Sequence, residues 1–161
     1  MTSRSTAILV AVAVVAGAAV AGVGLATRGS GKPARVLQVD EQAGRVGRVV
    51  LGETGSSVLA VLGKPSSADG TTIRYPHLLV GLRAGRVTSI STDDAAARTD
   101  KAVRIGEPLS AARASYRKAA ACNPNSPDKT ATHPFCSISV KSGRLLVTGD
   151  PIRSITLSRT G

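Results

Sequence analysis

The sequence predicts an α+β fold built from two tandem units, each a short helix packed on an antiparallel β-meander. The prediction depends on two stretches that resemble each other. One begins near residues 51–53 and closes near residue 90, and the other begins near residues 105–107 and closes near residue 155. Each opens with an apolar residue, Gly and Glu, continues with a Ser- or Ala-rich run of helical character, and ends on Arg, Ser and Ile after strand-like segments. We therefore assign residues 46–98 to a first repeat and residues 99–161 to a second.

The first repeat carries a short helical pattern that is followed by strands. Val58, Val61 and Leu62 are spaced i, i+3 and i+4, which predicts that they share one helix face. Gly63 and Pro65 then end the helix. Residues 66–70 read as a loop and residues 93–101 as a polar connector. Strand-like alternation or apolar runs cover residues 71–75, 78–82 and 86–91.

The second repeat follows the same plan. Pro108 suits the first turn of a helix, where a missing N–H group has no cost. Leu109, Ala112 and Tyr116 lie on one stripe of that helix, which residues 119 and 120 extend. The strands predicted next are residues 136–140, 145–147 and 152–157.

The N-terminal segment predicts export. Residues 7–26 are wholly apolar and follow Arg4, a length that spans ~30 Å of hydrocarbon as a helix. Two interpretations of residues 1–27 stay open: a signal peptide cleaved near Ala18, or an uncleaved signal-anchor transmembrane helix. Residues 28–45 are interpreted as a linker, with a short strand at 35–39.

The location expected from these features is the cell membrane, with a single span and the C-terminal region outside the cytoplasm. The alternative is secretion after signal cleavage. An even pair of cysteines supports either location, because disulfides persist in oxidising compartments.

Cys122 and Cys136 are the only cysteines, and we expect them to form a disulfide. A structural zinc site is the rival interpretation. It fails because the two cysteines and His133 supply three ligands, whereas such a site needs four. We therefore expect no metal and no cofactor. The polar loop that the disulfide closes is the candidate binding loop, with Asp128, Lys129, His133 and Phe135 as its candidate residues.

The formal net charge of the 161-residue chain is +11, and its basic residues are scattered rather than clustered. Such a surface favours weak contact with anionic lipid or acidic wall polymers. Nucleic acid is not expected as a partner, because aromatic residues make up only 2% and single-strand binding uses aromatic stacking.

Catalytic motifs are not found in the sequence, so we expect no enzyme. The Gly-x-Ser-x-Gly nucleophile motif is missing. The enzyme alternative would need one of the two histidines, His77 or His133, to be buried in a cleft beside a carboxylate. The candidate carboxylates are Asp128, Asp150 and Asp93.

Three motifs of the first repeat carry a resemblance to a known family: Gly52-Glu53-Thr54, Val61-Leu62-Gly63-Lys64-Pro65 and Gly85-Arg86-Val87. On these motifs the repeat resembles a small exported domain of the BamE/SmpA type, an outer-membrane assembly lipoprotein. The tandem arrangement is similar to that of the secreted β-lactamase inhibitor protein. The resemblance covers roughly residues 46 to 158 and implies a helix-plus-antiparallel-sheet fold. The chain departs from both groups, since it has no cysteine for lipid attachment and no Trp to serve as an aromatic anchor.

These observations predict a non-catalytic, extracytoplasmic binding or scaffolding module of the cell envelope that is anchored in the membrane by its N-terminal helix. Its partner is expected to be an envelope protein that docks on an exposed sheet face or on the disulfide loop. The alternatives are a secreted inhibitor of an envelope hydrolase and, third, a small envelope enzyme.

Overall fold

The computed structural model describes residues 37–123 and 133–160. The predicted helix of residues 1–27 lies outside this part of the chain, as does the segment 28–36 of the predicted linker. Within the described part, no helix has the length and apolar character that a membrane span requires.

The described residues form twelve strands and two short α-helices, with one 3₁₀ turn at Arg117–Ala119. In chain order they are β1 (Leu37–Asp40), β2 (Arg45–Val46), β3 (Val49–Val50), α1 (Gly55–Leu62), β4 (Ser67–Ala68), β5 (Thr72–Tyr75), β6 (Leu78–Arg83), β7 (Arg86–Thr92), β8 (Ala97–Thr99), α2 (Leu109–Tyr116), β9 (Ala120–Asn123), β10 (Phe135–Val140), β11 (Gly143–Thr148) and β12 (Ser154–Ser158).

The predicted α+β class is wrong, because the described chain is mostly β, with 46% of it in strands. Two segments account for much of the difference. Ala97–Thr99 is a strand inside the predicted polar connector, and Ala120–Asn123 is a strand where the sequence predicted a helix extension. The second helix ends earlier because Arg117 has a φ of 31°, outside the helical region.

One sheet of eight strands runs through both repeats, in the order β4-β5-β6-β7-β12-β11-β10-β9. All its neighbouring strands pair antiparallel. The two repeats meet where β7 pairs with β12, with Ile90 opposite Leu157 and Thr92 opposite Ile155. Since this seam lies in the middle of the sheet, the two halves share one hydrogen-bonded ladder.

A smaller sheet has the order β3-β2-β1-β8. Strand β1 pairs antiparallel with β2 and parallel with β8, so that Val39 lies opposite Val46 on one side and Thr99 on the other. This sheet includes residues that the sequence assigned to the linker, since Leu37–Asp40 overlaps the short strand expected there.

The Gly-Glu turn that opens each repeat makes the same hydrogen bonds in both copies. Gly52 and Gly106 have φ angles of 90° and 89°, which favour glycine. The backbone N–H three residues before each Glu donates to its carboxylate, at 2.7 Å for Glu53 and 3.0 Å for Glu107.

Each turn also binds the start of a strand-forming segment of its own repeat. The Gly52 N–H donates to the Val87 carbonyl over 2.8 Å, and the Gly106 N–H donates to the Ile152 carbonyl over the same distance. The Val87 and Ile152 N–H groups donate back to the carbonyls of the two Glu residues. The resemblance between the two stretches thus corresponds to a local structure that occurs twice.

The two helices pack unequally. Thr54 caps α1 by accepting a hydrogen bond from the Ser57 N–H, and Val58 is buried. Of the three residues predicted to share one face of this helix, Val58 is buried and Leu62 packs against the core, whereas Val61 is 41% exposed. In α2 the predicted stripe of Leu109, Ala112 and Tyr116 is buried, as the spacing indicated.

The core lies on one side of the eight-stranded sheet. The buried residues of the central strands join those of both helices and of the small sheet in one cluster. Aliphatic side chains fill most of it, and their burial from water supplies the main stabilisation. The members contributed by β7, β12, β11 and β10 are Val87, Ile90, Ile155, Leu157, Leu145, Val147, Cys136 and Ile138.

Candidate functional site

The face of the eight-stranded sheet opposite the core is open in the part of the chain that the structure describes. Successive side chains of a strand point to opposite faces, so the residues between the buried ones lie on this open face. Strand register places one such residue from every strand in a single row. In sheet order the row is Ser67, Arg74, Leu79, Ser91, Thr156, Leu146, Ser137 and Ala121. No residue of this row is buried.

Hydroxyl groups dominate the chemistry of the open face. The Thr156 hydroxyl donates to the Ser91 hydroxyl over 2.9 Å, across the seam between the repeats. A second row contains Ser89, Ser158, Arg144 and Ser139 in register. At about 4.8 Å per strand, a row across eight strands is on the order of 30 Å long. The face therefore has the dimensions of a protein-docking surface, with guanidinium groups and no carboxylate in these rows.

The cysteine pair forms a disulfide, as predicted, with 3.9 Å between its Cα atoms. Cys122 of β9 lies directly opposite Cys136 of β10, so the bond ties an edge strand of the sheet to its neighbour. The sequence had placed Cys122 at a helix end rather than in a strand.

The candidate loop residues do not come together as one described site. Asp128 and Lys129 lie outside the described residues. His133 is exposed. Phe135 begins β10, opposite Asn123 and Thr148, and alternates with the buried Cys136 and Ile138. It therefore belongs to the open sheet face, to which it contributes an aromatic side chain.

His77 and Asp93 form the pair that the enzyme alternative required, but on the surface. The His77 Nδ1 lies 2.9 Å from the Asp93 Oδ1, and the two side chains are 66% and 63% exposed. They border a shallow depression of about 190 Å³ that Ser91 and Ser154 also line. Among the described residues no hydroxyl hydrogen-bonds to the other ring nitrogen of His77, so this geometry does not assemble a base and a nucleophile.

A buried polar network is the feature that the sequence did not predict. Glu41, only 7% exposed, accepts hydrogen bonds from the Tyr116 hydroxyl of α2 and, over 3.2 Å, from the Asp100 N–H. Its own N–H donates to the Asp100 carboxylate over 2.9 Å, and its carbonyl accepts from the Ser142 hydroxyl over 2.6 Å. The network joins four segments that are far apart in the chain.

Burial raises the pKa values of the Glu41 carboxyl and the Tyr116 hydroxyl in this network. Loss of water around Glu41 raises the pKa of its carboxyl, despite the opposing effect of the Tyr116 hydrogen bond. The nearby Asp100 carboxylate raises that pKa further, and Lys101 lowers it. Burial and the hydrogen bond to Glu41 likewise raise the pKa of Tyr116.

We expect Glu41→Gln to change how stability depends on pH. A raised pKa in the folded state means that the folded chain holds the Glu41 proton more tightly than the unfolded chain does. The stability that this group contributes is present at pH values below its ordinary pKa and is lost as pH rises through its raised folded pKa. The free energy of unfolding, measured by urea denaturation from pH 3 to 8, should therefore fall with pH more for the natural chain than for the variant.

The effect of Glu41→Gln is best measured as a difference, because the other carboxyl groups contribute equally to both proteins. Glu107→Gln, which alters a half-buried turn carboxylate outside this network, serves as the matched control. A stability difference between the natural chain and Glu41→Gln that stays constant over this pH range would contradict the assignment.

Most carboxylates of the described residues accept hydrogen bonds from N–H groups of the protein itself. Apart from Asp93, each described Asp or Glu accepts a hydrogen bond from a backbone N–H. Arg45 and Asp40 form the only ion pair between a Lys or Arg and a carboxylate among the described residues. Most described cations are thus left without an acidic partner, which leaves the surface positive.

Neither a search for metal ligands nor comparisons with known proteins assigns a function to this chain. Among the described residues, no three His, Cys, Asp or Glu side chains are grouped as metal ligands. Comparisons with protein-family models, with curated proteins and with solved structures find no match. The geometry defines a class: a mostly β module with one sheet face packed on helices and the other face open. The resemblance to the BamE/SmpA type and to the β-lactamase inhibitor protein stays a prediction.

Proposed function

We propose that this chain is a non-catalytic binding or scaffolding module of the cell envelope, located outside the cytoplasm and anchored by its N-terminal apolar segment. Its partner, an envelope protein, docks on the open face of the eight-stranded sheet. The observation that supports this proposal most directly is the row of unburied side chains that crosses both repeats.

The composition of the face suits reversible protein binding. Ser and Thr hydroxyls supply adaptable hydrogen bonds, and Leu79, Leu146 and Phe135 supply apolar contact area. Arg74 provides a guanidinium group, which is enriched among residues that dominate binding energy. The face carries few aromatic anchors, which favours moderate rather than very tight affinity.

We expect a photo-crosslinking residue at Ser91 to capture a discrete partner in the envelope fraction of the source cells. The same residue at Ser110, which is exposed on α2 away from the sheet, is the matched control. A bulky Thr156→Trp substitution should abolish the product from Ser91, because an indole at the seam prevents close approach of the partner. Equal crosslinking from Ser91 and Ser110, or an unchanged product with Thr156→Trp, would contradict docking on this face.

The alternative function is that of a secreted protein that inhibits an envelope hydrolase. Such an inhibitor would also bind through the open sheet face. Cell fractionation with intact-mass measurement separates the two. Chain retained in the membrane with residues 1–27 attached supports the anchored module, whereas free protein that begins after about Ala18 supports the inhibitor.

A further inference from the structure

We propose a phosphate-ester binding site in a shallow depression where β11 and β12 meet beside the Gly52 turn. The depression has a volume of about 320 Å³ and is lined by Arg144, Ser158, Arg159 and Thr160. Two guanidinium groups and two hydroxyls thus surround one opening, and none of the lining residues is acidic.

The backbone of this site is held in place on three sides. Ser158 is paired with Arg144 across β12 and β11. The Arg159 N–H donates to the Thr88 carbonyl over 3.0 Å. Gly143 lies so close to Ser158 that an added Cβ would be 2.0 Å from the Ser158 carbonyl oxygen. Rigid support of this kind reduces the ordering cost when a ligand binds.

The cations at this site have no anion of the protein to pair with. Among the described residues, neither Arg144 nor Arg159 forms an ion pair. The Arg159 Nη1 lies 3.2 Å from the position that a Cβ on Gly52 would occupy, and the Arg86 Nη1 donates to the Gly52 carbonyl over 2.9 Å. Two guanidinium groups therefore flank one glycine, an arrangement that an external anion would stabilise.

The second copy of the turn shows that folding does not require these arginines. Gly106 has the same φ and the same hydrogen bonds as Gly52, but an added Cβ there would meet nothing within 4 Å. By the offset that matches Val87 with Ile152, the residues that correspond to Arg86 and Arg159 are Pro151 and Asp94, and neither is basic. The basic cluster is thus specific to one copy of a structure that forms without it.

The chemistry of the site indicates a tetrahedral oxyanion. Guanidinium groups bind phosphate oxygens through paired N–H donors, and the Thr160 hydroxyl adds a further donor. The Ser158 hydroxyl donates to the Arg144 carbonyl over 3.4 Å and lines the opening beside it. A shallow opening suits a phosphate that stays attached to a larger molecule and is only partly enclosed. The ligand class is therefore a phosphate ester of a small polyol, either free or as a lipid headgroup.

The site is tested with the full chain in detergent micelles or nanodiscs of neutral lipid. Glycerol phosphate is titrated by NMR or calorimetry, and phosphatidylglycerol is supplied in nanodiscs as the second probe, against neutral lipid alone. We expect binding to at least one probe, weakening as salt is added, and at least tenfold weaker for Arg144→Gln/Arg159→Gln. The matched control is Arg113→Gln/Arg117→Gln, which removes the same charge from exposed positions on and after α2.

Each outcome decides the proposal. Binding of glycerol phosphate itself identifies a free ester as sufficient, and binding only to phosphatidylglycerol identifies a lipid headgroup. No binding to either probe, or equal loss in the two double variants, overturns the site. Phosphate binding is measured with purified chain and defined probes, whereas the protein partner is measured by crosslinking from Ser91, so the two proposals can fail separately.

Discussion

Leu157→Ala should lower the free energy of unfolding by about 2–5 kcal/mol, the cost typical of truncating a fully buried Leu. Leu157 is 0% exposed and lies on β12 between Ile90 of β7 and Leu145 of β11. The substitution removes apolar surface from the core and leaves a cavity at the seam between the two repeats. Urea denaturation followed by far-UV circular dichroism measures the effect.

The adjacent residue provides the control. Thr156 lies on the open face of the same strand, so Thr156→Ala removes one partly buried hydrogen bond and should cost about 1 kcal/mol or less. We expect both variants to unfold in one transition, because the seam joins the repeats in one ladder. Two separate transitions in Leu157→Ala, or equal losses in the two variants, would contradict this account of the core.

The strands that were predicted well are those whose own residues show an apolar run or an alternation of apolar and polar side chains. Residues 78–82, 86–91 and 136–140 were predicted from apolar runs or alternation, and each forms a strand within one residue of those bounds. Side chains that alternate between a core and an open face leave a period of two in the sequence, whatever the partner strand is.

The strands that were not predicted from the sequence form because distant segments pair with them. Ala97–Thr99 has no strand-like pattern, and it is a strand because β1 pairs with it from sixty residues earlier in the chain. Ala120–Asn123 has a helix-favouring start, but its pairing with β10 and its cysteine make it an edge strand. Strand propensity depends on such context, so the helical content was overestimated and the class was wrong.

The candidate site could be predicted from the sequence only in part, for the same reason. The disulfide could be predicted from composition and the export segment alone. The row of open-face residues and the pairing of Arg144 with Ser158 depend on strand order and register, which no local pattern encodes. Glu41 lay in the predicted linker, where nothing nearby in the sequence indicated that Tyr116 would cover it.

Replacing both cysteines by Ala should destabilise the protein by about 3 kcal/mol from the opened loop alone, the chain-entropy estimate for a loop of this size, and by more once the packing of the buried sulfur is lost. The cross-link restricts the unfolded chain more than the folded one. In the sheet that the described residues form, β9 is the last strand, so the disulfide also holds an edge strand in register. The measurement is urea denaturation of the oxidised chain and of the double variant at the same pH.

Reduction of the natural chain separates the cross-link from the packing of its sulfur atoms. Cys136 is fully buried, so its truncation to Ala has a packing cost that dithiothreitol treatment does not produce. We therefore expect reduced natural chain to be intermediate in stability between the oxidised chain and the double variant, and dithiothreitol to leave the double variant unchanged. If reduction does not alter the unfolding midpoint, the cross-link contributes nothing, and β9 must be held by its ladder with β10 alone. The open face would then keep its full width, to Ala121, without the disulfide.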